Sequence, residues 1–556
     1  MRLFFRRLSQ NPLLAFEILT GTFFITLLNL ALPLYVILVL RKYISSGFQG
    51  TLITLSLGII IAIILQTAFK ALRTKMALAI NTPANENLAQ KYQQALLQAK
   101  ASAVEQLPPS YLQSLPSKLQ NVQNTYSGPT LTALLDAPFS LLYLLAVFLL
   151  SPLLGAISTA FFVLLLALGT FNIQASQKEL AHLNKRLAEH NNNLLTAVRG
   201  VDTARIFAAD EHFAGKWDNE LSSISYFRDR LAKKQDLHQN FSQSGSMFMS
   251  VGLYALGAPL VISGNLTVAT LIGANILSSR AYQNLVRALQ SGYMLKKAKR
   301  SLQDLEILNR LPIQNRHGTA LSQFQGRLQA ENISFTYPQC KSPVFRELSL
   351  RVDPGRIMVI SGPNGSGKTT LARIMAGLLD PDQGNISADG VNLNQISFKW
   401  WRKQLVYLPE QFTFTAGSIR ENISMPRPEI GDNELNQILR LTGLRSILDE
   451  MSHGLETSMT AEGREFPPGT RKRIALARAL STAGLLVIMD EPETGLDHLG
   501  RKDLYSLMNH LHGSGRTIIV FSNDPKIIKA GHVHYRLGSE QVENKPAPEL
   551  IKNTNI

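Results

Sequence analysis

Gly362-Pro363-Asn364-Gly365-Ser366-Gly367-Lys368-Thr369 fits G-x-x-x-x-G-K-[ST] at every fixed position. The residues ahead of it, Arg356-Ile-Met-Val-Ile-Ser361, read as a buried strand, and Thr370-Leu-Ala-Arg-Ile-Met-Ala376 behind it reads as a helix. Strand, loop and helix together are the setting in which glycines let successive backbone N–H groups converge on phosphate oxygens at a helix's positive end. On this reading Gly362, Pro363, Asn364, Gly365, Ser366, Gly367, Lys368, Thr369 and Thr370 surround a nucleotide's phosphates. Lys368 reaches the β/γ-phosphates and the Thr369 hydroxyl can ligate Mg²⁺, so ATP and Mg²⁺ are the expected cofactors. A glycine-rich turn without a ligand is the rival reading. A second motif argues against it: Leu485-Leu-Val-Ile-Met489 is a buried-strand run ending in Asp490-Glu491, an Mg²⁺-holding acid followed by a second carboxylate.

Outward from this loop the chain changes character. Its 556 residues exceed one domain, and the 17% of charged residues averages two unlike halves. Charge is absent from 18–40, 43–69, 137–177 and 237–279, whereas a spanning helix needs only about 20 apolar residues. The two longest runs hold two spans each, with turns near Ser151-Pro152 and Ser263-Gly264-Asn265, which predicts six spans at about 18–40, 50–70, 130–150, 153–174, 242–262 and 266–286. A soluble bundle of core helices would not ordinarily carry such long charge-free runs.

The net charge is +16, from 56 Lys+Arg against 40 Asp+Glu. No nucleic-acid-reading motif or arginine-rich tract accompanies it, so cytoplasmic loops beside anionic lipid are the better explanation and no nucleic-acid partner is expected. Arg2, Arg6 and Arg7 precede the first span, and 178–236 carries Lys178, Lys185, Arg186, Arg199, Arg205, Lys216, Arg228, Arg230, Lys233 and Lys234, against only Arg41 and Lys42 on the other side. The positive-inside rule then puts both ends and the two long connections in the cytoplasm. A single cysteine, Cys340, excludes an intrachain disulfide and a cysteine-based zinc site. The N-terminal apolar run is too long for a secretory signal and reads as an uncleaved first span.

Residues 75–136 and 178–238 read as helices continuing beyond the membrane, the first punctuated by Pro108-Pro109 and Ser127-Gly128-Pro129. His182, His190, His212 and His238 lack paired ligand spacing and read as solvated helix residues rather than a metal site. Within the basic amphipathic helix 287–309, the stretch 287–300 is expected as a stem along the bilayer surface, with acidic cargo as the rival. Domains are therefore expected at 1–311 (membrane), 312–325 (linker) and 326–556 (nucleotide-binding), the last with strands near 327–337, 346–352, 485–489 and 516–521 and helices near 432–450 and 470–482.

Together these motifs resemble an ABC exporter half-transporter: an all-α six-helix transmembrane domain followed by an α/β P-loop nucleotide-binding domain of the ABC type. Within that family Leu30-Ala-Leu-Pro-Leu-Tyr-Val-Ile-Leu-Val-Leu40, Asp136-Ala-Pro-Phe139, Ala197-Val-Arg-Gly-Val-Asp202 and Gly264-Asn-Leu-Thr267 are similar to strings in type I secretion ATPases. The resemblance implies an ATPase of the bacterial inner membrane that exports unfolded polypeptide with a periplasmic adaptor and an outer-membrane channel. The extra N-terminal peptidase-like domain of some relatives is expected to be missing. It also implies that Tyr337 stacks on adenine, Asp490 holds Mg²⁺, Glu491 polarises the attacking water and Asp497 serves the dimer interface. A packed strand tyrosine is the plain alternative for Tyr337.

Three positions depart from the family pattern. Phe466-Pro467-Pro468-Gly469-Thr470 stands where the family has Leu-Ser-Gly-Gly-Gln before Arg-x-Arg, so a hydroxyl and backbone donors for the opposite subunit's γ-phosphate are lost. Asn523 stands at the switch-histidine position and cannot become a cation. Glu410 stands at the glutamine-loop position, where it could ligate Mg²⁺ and contribute to catalysis but adds negative charge beside phosphate. ATP binding should survive and turnover should be low, which favours pairing with a second, different half-transporter. Two rivals stay open: a nucleotide-sensing membrane scaffold that moves nothing, and a homodimeric lipid or drug exporter.

Overall fold

The computed structural model describes residues 7–44, 47–314, 318–338, 340–538 and 542–544. Arg2, Arg6, the linker positions 315–317 and the end of the nucleotide-binding domain beyond 544 lie outside the described residues, as do the side chains of Arg199 and His238. The chain divides into two compact units, Met1–Gln98 with Glu105–Leu311, and Ala99–Val104 with Pro312–Ile556.

The first unit is helical. Its main elements are α1 Pro12–Asn29, α2 Ala31–Leu38, α3 Gln49–Gln98, α4 Pro109–Thr125, α5 Gly128–Leu150, α6 Pro152–Arg199, α7 Asp210–Ile262 and α8 Val268–Asn309. Helices of 50 and 53 residues in α3 and α7 run to about 75–80 Å at 1.5 Å per residue, far beyond a bilayer's hydrocarbon core. The turns fall at Ser151, where α5 stops and Pro152 opens α6 from its tolerated first-turn position, and at Gly264, whose φ of +76° suits glycine. Pro12–Tyr43, Gln49–Gln98, Gly128–Leu150, Pro152–Phe171 and Ser244–Ile262 are long and apolar enough to cross a membrane. They leave Ile53, Ile64, Leu145, Leu149, Phe171 and Ile262 exposed, an outward apolar surface that water would penalise.

The sixth span expected at 266–286 forms a helix, but it is not among those five. Asn275, Ser278, Ser279, Arg280, Gln283 and Asn284 dilute its hydropathy, and many of its apolar residues are buried against other helices, although Val268 stays exposed. Leu271, Ala274, Leu277, Ala281 and Leu285 of α8 pack with Tyr143, Val147, Leu154, Met249 and Leu253 of α5, α6 and α7. The buried Ser158 and Ser278 hydroxyls share a 2.7 Å hydrogen bond across this core, as small polar residues do between close-packed membrane helices. Nor does 287–309 lie along a surface: Leu295, Ala298, Leu305 and Leu308 continue α8 into a second core with Ile80, Tyr92 and Val122.

The second unit holds a four-stranded antiparallel sheet and a six-stranded, mostly parallel one. The strands are β1 Leu328–Phe335, β2 Phe345–Val352, β3 Ile357–Ser361, β4 Gln383–Ala388, β5 Val391–Asn392, β6 Leu405–Leu408, β7 Leu486–Asp490, β8 Thr517–Phe521, β9 Val533–Arg536 and β10 Val542–Asn544. The small sheet runs β2-β1-β4-β5 and the large one β10-β9-β3-β8-β7-β6, with only the β9/β10 pair antiparallel. All residues of β3, β7 and β8 are buried, which is why they read as continuous apolar runs instead of alternating ones. Alternation survives in which core each residue feeds: Val487, Met489, Ile518 and Val520 join the core on one side, and Leu486, Ile488, Ile519 and Phe521 the core on the other. Ala99–Val104 belongs here because the Lys100 N–H donates to the Pro312 carbonyl at 2.8 Å, its ammonium pairs with Asp380, and Ala99 bridges Ile313.

Candidate nucleotide site

β3 ends at Ser361 and α9, Lys368–Met375, begins seven residues later, so the loop sits outside the carboxyl ends of the parallel strands. Gly367 caps α9 with φ +94°, and a Cβ there would meet Val344 Cγ1 at 2.4 Å, so both backbone sign and space demand glycine. The Lys368 side chain is buried, with Nζ 2.9 Å from the Gly362 carbonyl and 3.5 Å from Glu491 Oε1. Ser366 Oγ is buried without a hydrogen-bond partner inside this loop.

Two acids arrive from the end of β7. Asp490 is fully buried, and neither carboxylate oxygen has a hydrogen-bond partner among the described residues. Burial chiefly, then the Glu410 and Glu491 charges, push its pKa up to about 6, while Thr369 and Lys472 oppose them. Thr369 Oγ1 donates to Glu410 Oε2 at 2.9 Å. An orphaned carboxylate beside a hydroxyl and a second carboxylate fits a divalent cation, and Mg²⁺ ordinarily takes only one or two protein carboxylates, the rest being water and phosphate.

Glu491 has φ +45°, a left-handed backbone that costs a non-glycine residue energy and persists only when the surroundings hold it. Its N–H donates to the Phe521 carbonyl at 2.9 Å, and its own carbonyl accepts from Lys472 Nζ at 2.9 Å. Asn523 is tied to the loop twice, Oδ1 accepting from the Gly362 N–H and Nδ2 donating to the Gly362 carbonyl, both at 3.0 Å. Tyr337 stands edge-on to Phe335 at 5.0 Å between ring centroids, and its hydroxyl meets Thr370 Oγ1 at 3.0 Å. Thus Tyr337, the P-loop, Glu410, Asp490, Glu491 and Asn523 are brought to one place. Asp497 is engaged locally, capping a helix by accepting from the Gly500 N–H at 2.7 Å.

Two chains of contact were not legible in the motifs. Lys472 lies buried behind Glu491; burial lowers its pKa, while Glu493, Asp490, Glu410 and Glu491 raise it. Glu493, its carboxyl raised above the usual range chiefly by burial, accepts from Ser522 Oγ at 2.5 Å. The Arg471-Lys472-Arg473 triplet was the available signal for the first, since three consecutive residues on a packed helix do not all face solvent, and here Lys472 and Arg473 are both buried.

α10, Pro468–Leu480, starts on Pro468 with Pro467 at its N-cap and no side-chain cap. Neither proline has an N–H to offer at a helix end where free donors would otherwise point outward.

The fold and this loop are matched by two family descriptions, "ABC transporter transmembrane region" over residues 15–285 and "ABC transporter" over 345–494. The chain belongs to the ABC transporter family. Among its relatives, this ABC transporter is 25% identical to the leukotoxin translocation ATP-binding protein LktB of Mannheimia glucosida, over 97% of this chain and 76% of that protein. It is also 25% identical to the alpha-hemolysin translocation ATP-binding protein HlyB of Escherichia coli O157:H7, over 92% and 73%. Its fold is similar to that of a bacterial Atm1-family ABC exporter solved with ATP bound, with TM-score 0.82 at 17% identity and 95% of each chain covered. As an ABC exporter half-transporter it has a helical membrane unit and an ATP-binding unit. The histidines on its long helices form no metal group among the described residues. His190 pairs with Glu220 at 2.9 Å, half-buried where a solvated residue was expected, and His182 stacks on Phe227.

Proposed function

We propose that this ABC half-transporter works in the bacterial inner membrane as one of two unequal halves, exporting a polypeptide toward a periplasmic adaptor and an outer-membrane channel, with its nucleotide-binding unit in the cytoplasm. The names of the toxin-translocating relatives support the polypeptide cargo. The observation that carries the inequality is α10 starting on consecutive prolines beside an otherwise complete P-loop and acid pair.

ATP lies along 362–370 with its adenine near Tyr337 and its terminal phosphates at Lys368. Thr369, Asp490 and Glu410 would hold Mg²⁺, which would supply positive charge against the phosphates. The Glu491 carboxylate orients the attacking water, its backbone held by Lys472 and Phe521. Asn523, a neutral amide occupied with Gly362, holds the loop but supplies no cation to the transition state.

A site formed by the partner's P-loop and this chain's 466–470 would hold ATP with little turnover, because each lost transition-state donor lowers rate by about 10²- to 10³-fold. The other site, with Lys368 and Glu491 facing the partner's signature, retains activity. Purified chain alone should hydrolyse ATP slowly, and adding the partner should raise the rate. Brisk turnover by the lone homodimer would overturn the pairing. If Glu491→Gln leaves export by the assembled pair unchanged, and the partner supplies no hydrolysis, transport is not powered at this chain's own site.

A further inference from the structure

We propose that a cleft among α1, α3, α5 and α8 in the membrane unit binds one phosphate-type oxyanion. The cleft is lined by Ile25, Thr26, Asn29, Lys70, Arg73, Asp136, Tyr143, Arg280, Gln283, Asn284 and Arg287, four cations against a single carboxylate. Its volume of about 70 Å³ is several times the roughly 10–15 Å³ that one water requires on the same measure, room for one tetrahedral oxyanion.

The charges divide into a fixed set and an open set. Arg73 is committed to Asp136 at 2.5 Å, with Thr22 Oγ1 at 3.3 Å. Arg280 donates to Asn29 Oδ1 at 2.8 Å, and Gln66 donates to the same oxygen at 2.8 Å, so the Asn29 acceptor is saturated and the rest of the Arg280 fork is left over. Lys70 and Arg287 are exposed at the mouth, and no hydrogen bond or ion pair joins either side chain to another group among the described residues. Lys70, Arg280 and Arg287 thus form no ion pair among the described residues and converge on one small polar space whose single carboxylate, Asp136, is held by Arg73.

Position makes this more than a solvated charge run. Lys70 directly follows the charge-free 43–69, Asp136 directly precedes 137–177, and Arg280 directly follows 237–279. The cleft therefore lies at the boundary of the apolar belt, on the side where α3 and α8 run on past it. Ionisable groups in this region are costly unless paired or facing a polar cavity, and guanidinium forks match phosphate oxygens with two parallel donors. A phosphate could come from the headgroup of an anionic lipid or from solution, and both offer the same chemistry to Lys70, Arg280 and Arg287.

The full-length chain in non-ionic detergent, with ATP present to occupy the P-loop, would be titrated with phosphatidylglycerol or phosphatidylcholine and read by native mass spectrometry. One phosphatidylglycerol per chain should bind in preference to phosphatidylcholine. The Lys70→Gln, Arg287→Gln double variant should lose roughly tenfold in affinity while still binding ATP, and Arg287→Lys, which keeps the charge, should retain most of it. Displacement of the lipid by excess inorganic phosphate identifies the free ion as a sufficient ligand, and resistance to displacement identifies the lipid-borne group; both support an oxyanion site. Equal binding of the two lipids, or unchanged affinity in a double variant that binds ATP normally, overturns it.

Discussion

Lys368→Ala removes the ammonium placed between Gly362 and Glu491, and should weaken ATP binding by about 10- to 100-fold, the range for charge-assisted hydrogen bonds of about 1.5–3 kcal/mol. Equilibrium binding of a fluorescent ATP analogue checks it. Glu410→Gln should act oppositely when Mg²⁺ is absent: a carboxylate 2.9 Å from the Thr369 hydroxyl repels phosphate, and its neutral isostere should bind Mg²⁺-free ATP on the order of tenfold more tightly. If the variant binds no better, Glu410 does not face the phosphates. At this scale the sequence exposed whatever lies along one short loop, Gly362 to Thr369, because P-loop chemistry is written in consecutive residues. It could not expose the Asn523 amide bonded to Gly362, 161 residues away, or the Lys472 ammonium on the Glu491 carbonyl, since those pairings exist only once β3, β7 and β8 are aligned. The positive φ at Glu491 was equally invisible, glutamate being an unexpected residue for that backbone.

Among the elements, α10 invites repair. Pro467→Ser with Pro468→Gly restores one hydroxyl and two backbone donors at its start and should raise hydrolysis by the lone chain by about 10²-fold or more, measured as phosphate release. β3 and β9 are linked by a pH-sensitive contact: buried His532 accepts the Ile357 N–H on Nδ1 at 3.1 Å. Burial first, then His512 and Arg356, hold its pKa below 6.5. The folded state prefers neutral imidazole, so this stabilisation is complete above 6.5 and is lost as pH falls from there through the lower folded value. The apparent Tm in detergent should drop by roughly 1–3 °C from this contact between pH 7.5 and 5.5, and His532→Gln should shrink the difference. The strands were readable because total burial writes itself as unbroken Val, Ile, Leu and Met. The charge-free run up to Ser279 marked α8 as a span but could not tell which of its residues meet other helices; Leu271, Ala274 and Leu277 do.

For the molecule as a whole, the part-buried Arg73–Asp136 pair joins α3 to α5 within the membrane unit. Removing Arg73 takes away the nearest partner of Asp136, so Arg73→Ala should cost about 1.5–3 kcal/mol of stability, seen as a lower denaturation midpoint in detergent, while Arg73→Lys should recover part of it. The division of the chain into a membrane half and a nucleotide half was legible from charge distribution alone, but its exact partition was not. Ala99–Val104, embedded in the sequence of the first unit, folds with the second through Pro312, Ile313 and Asp380. A fragment starting at 312 is therefore an incomplete body, lacking a short piece made about two hundred residues earlier. On the ribosome, the ATP-binding half cannot finish assembling from its own stretch of message alone, and takes in a stub that emerged earlier with the helical half.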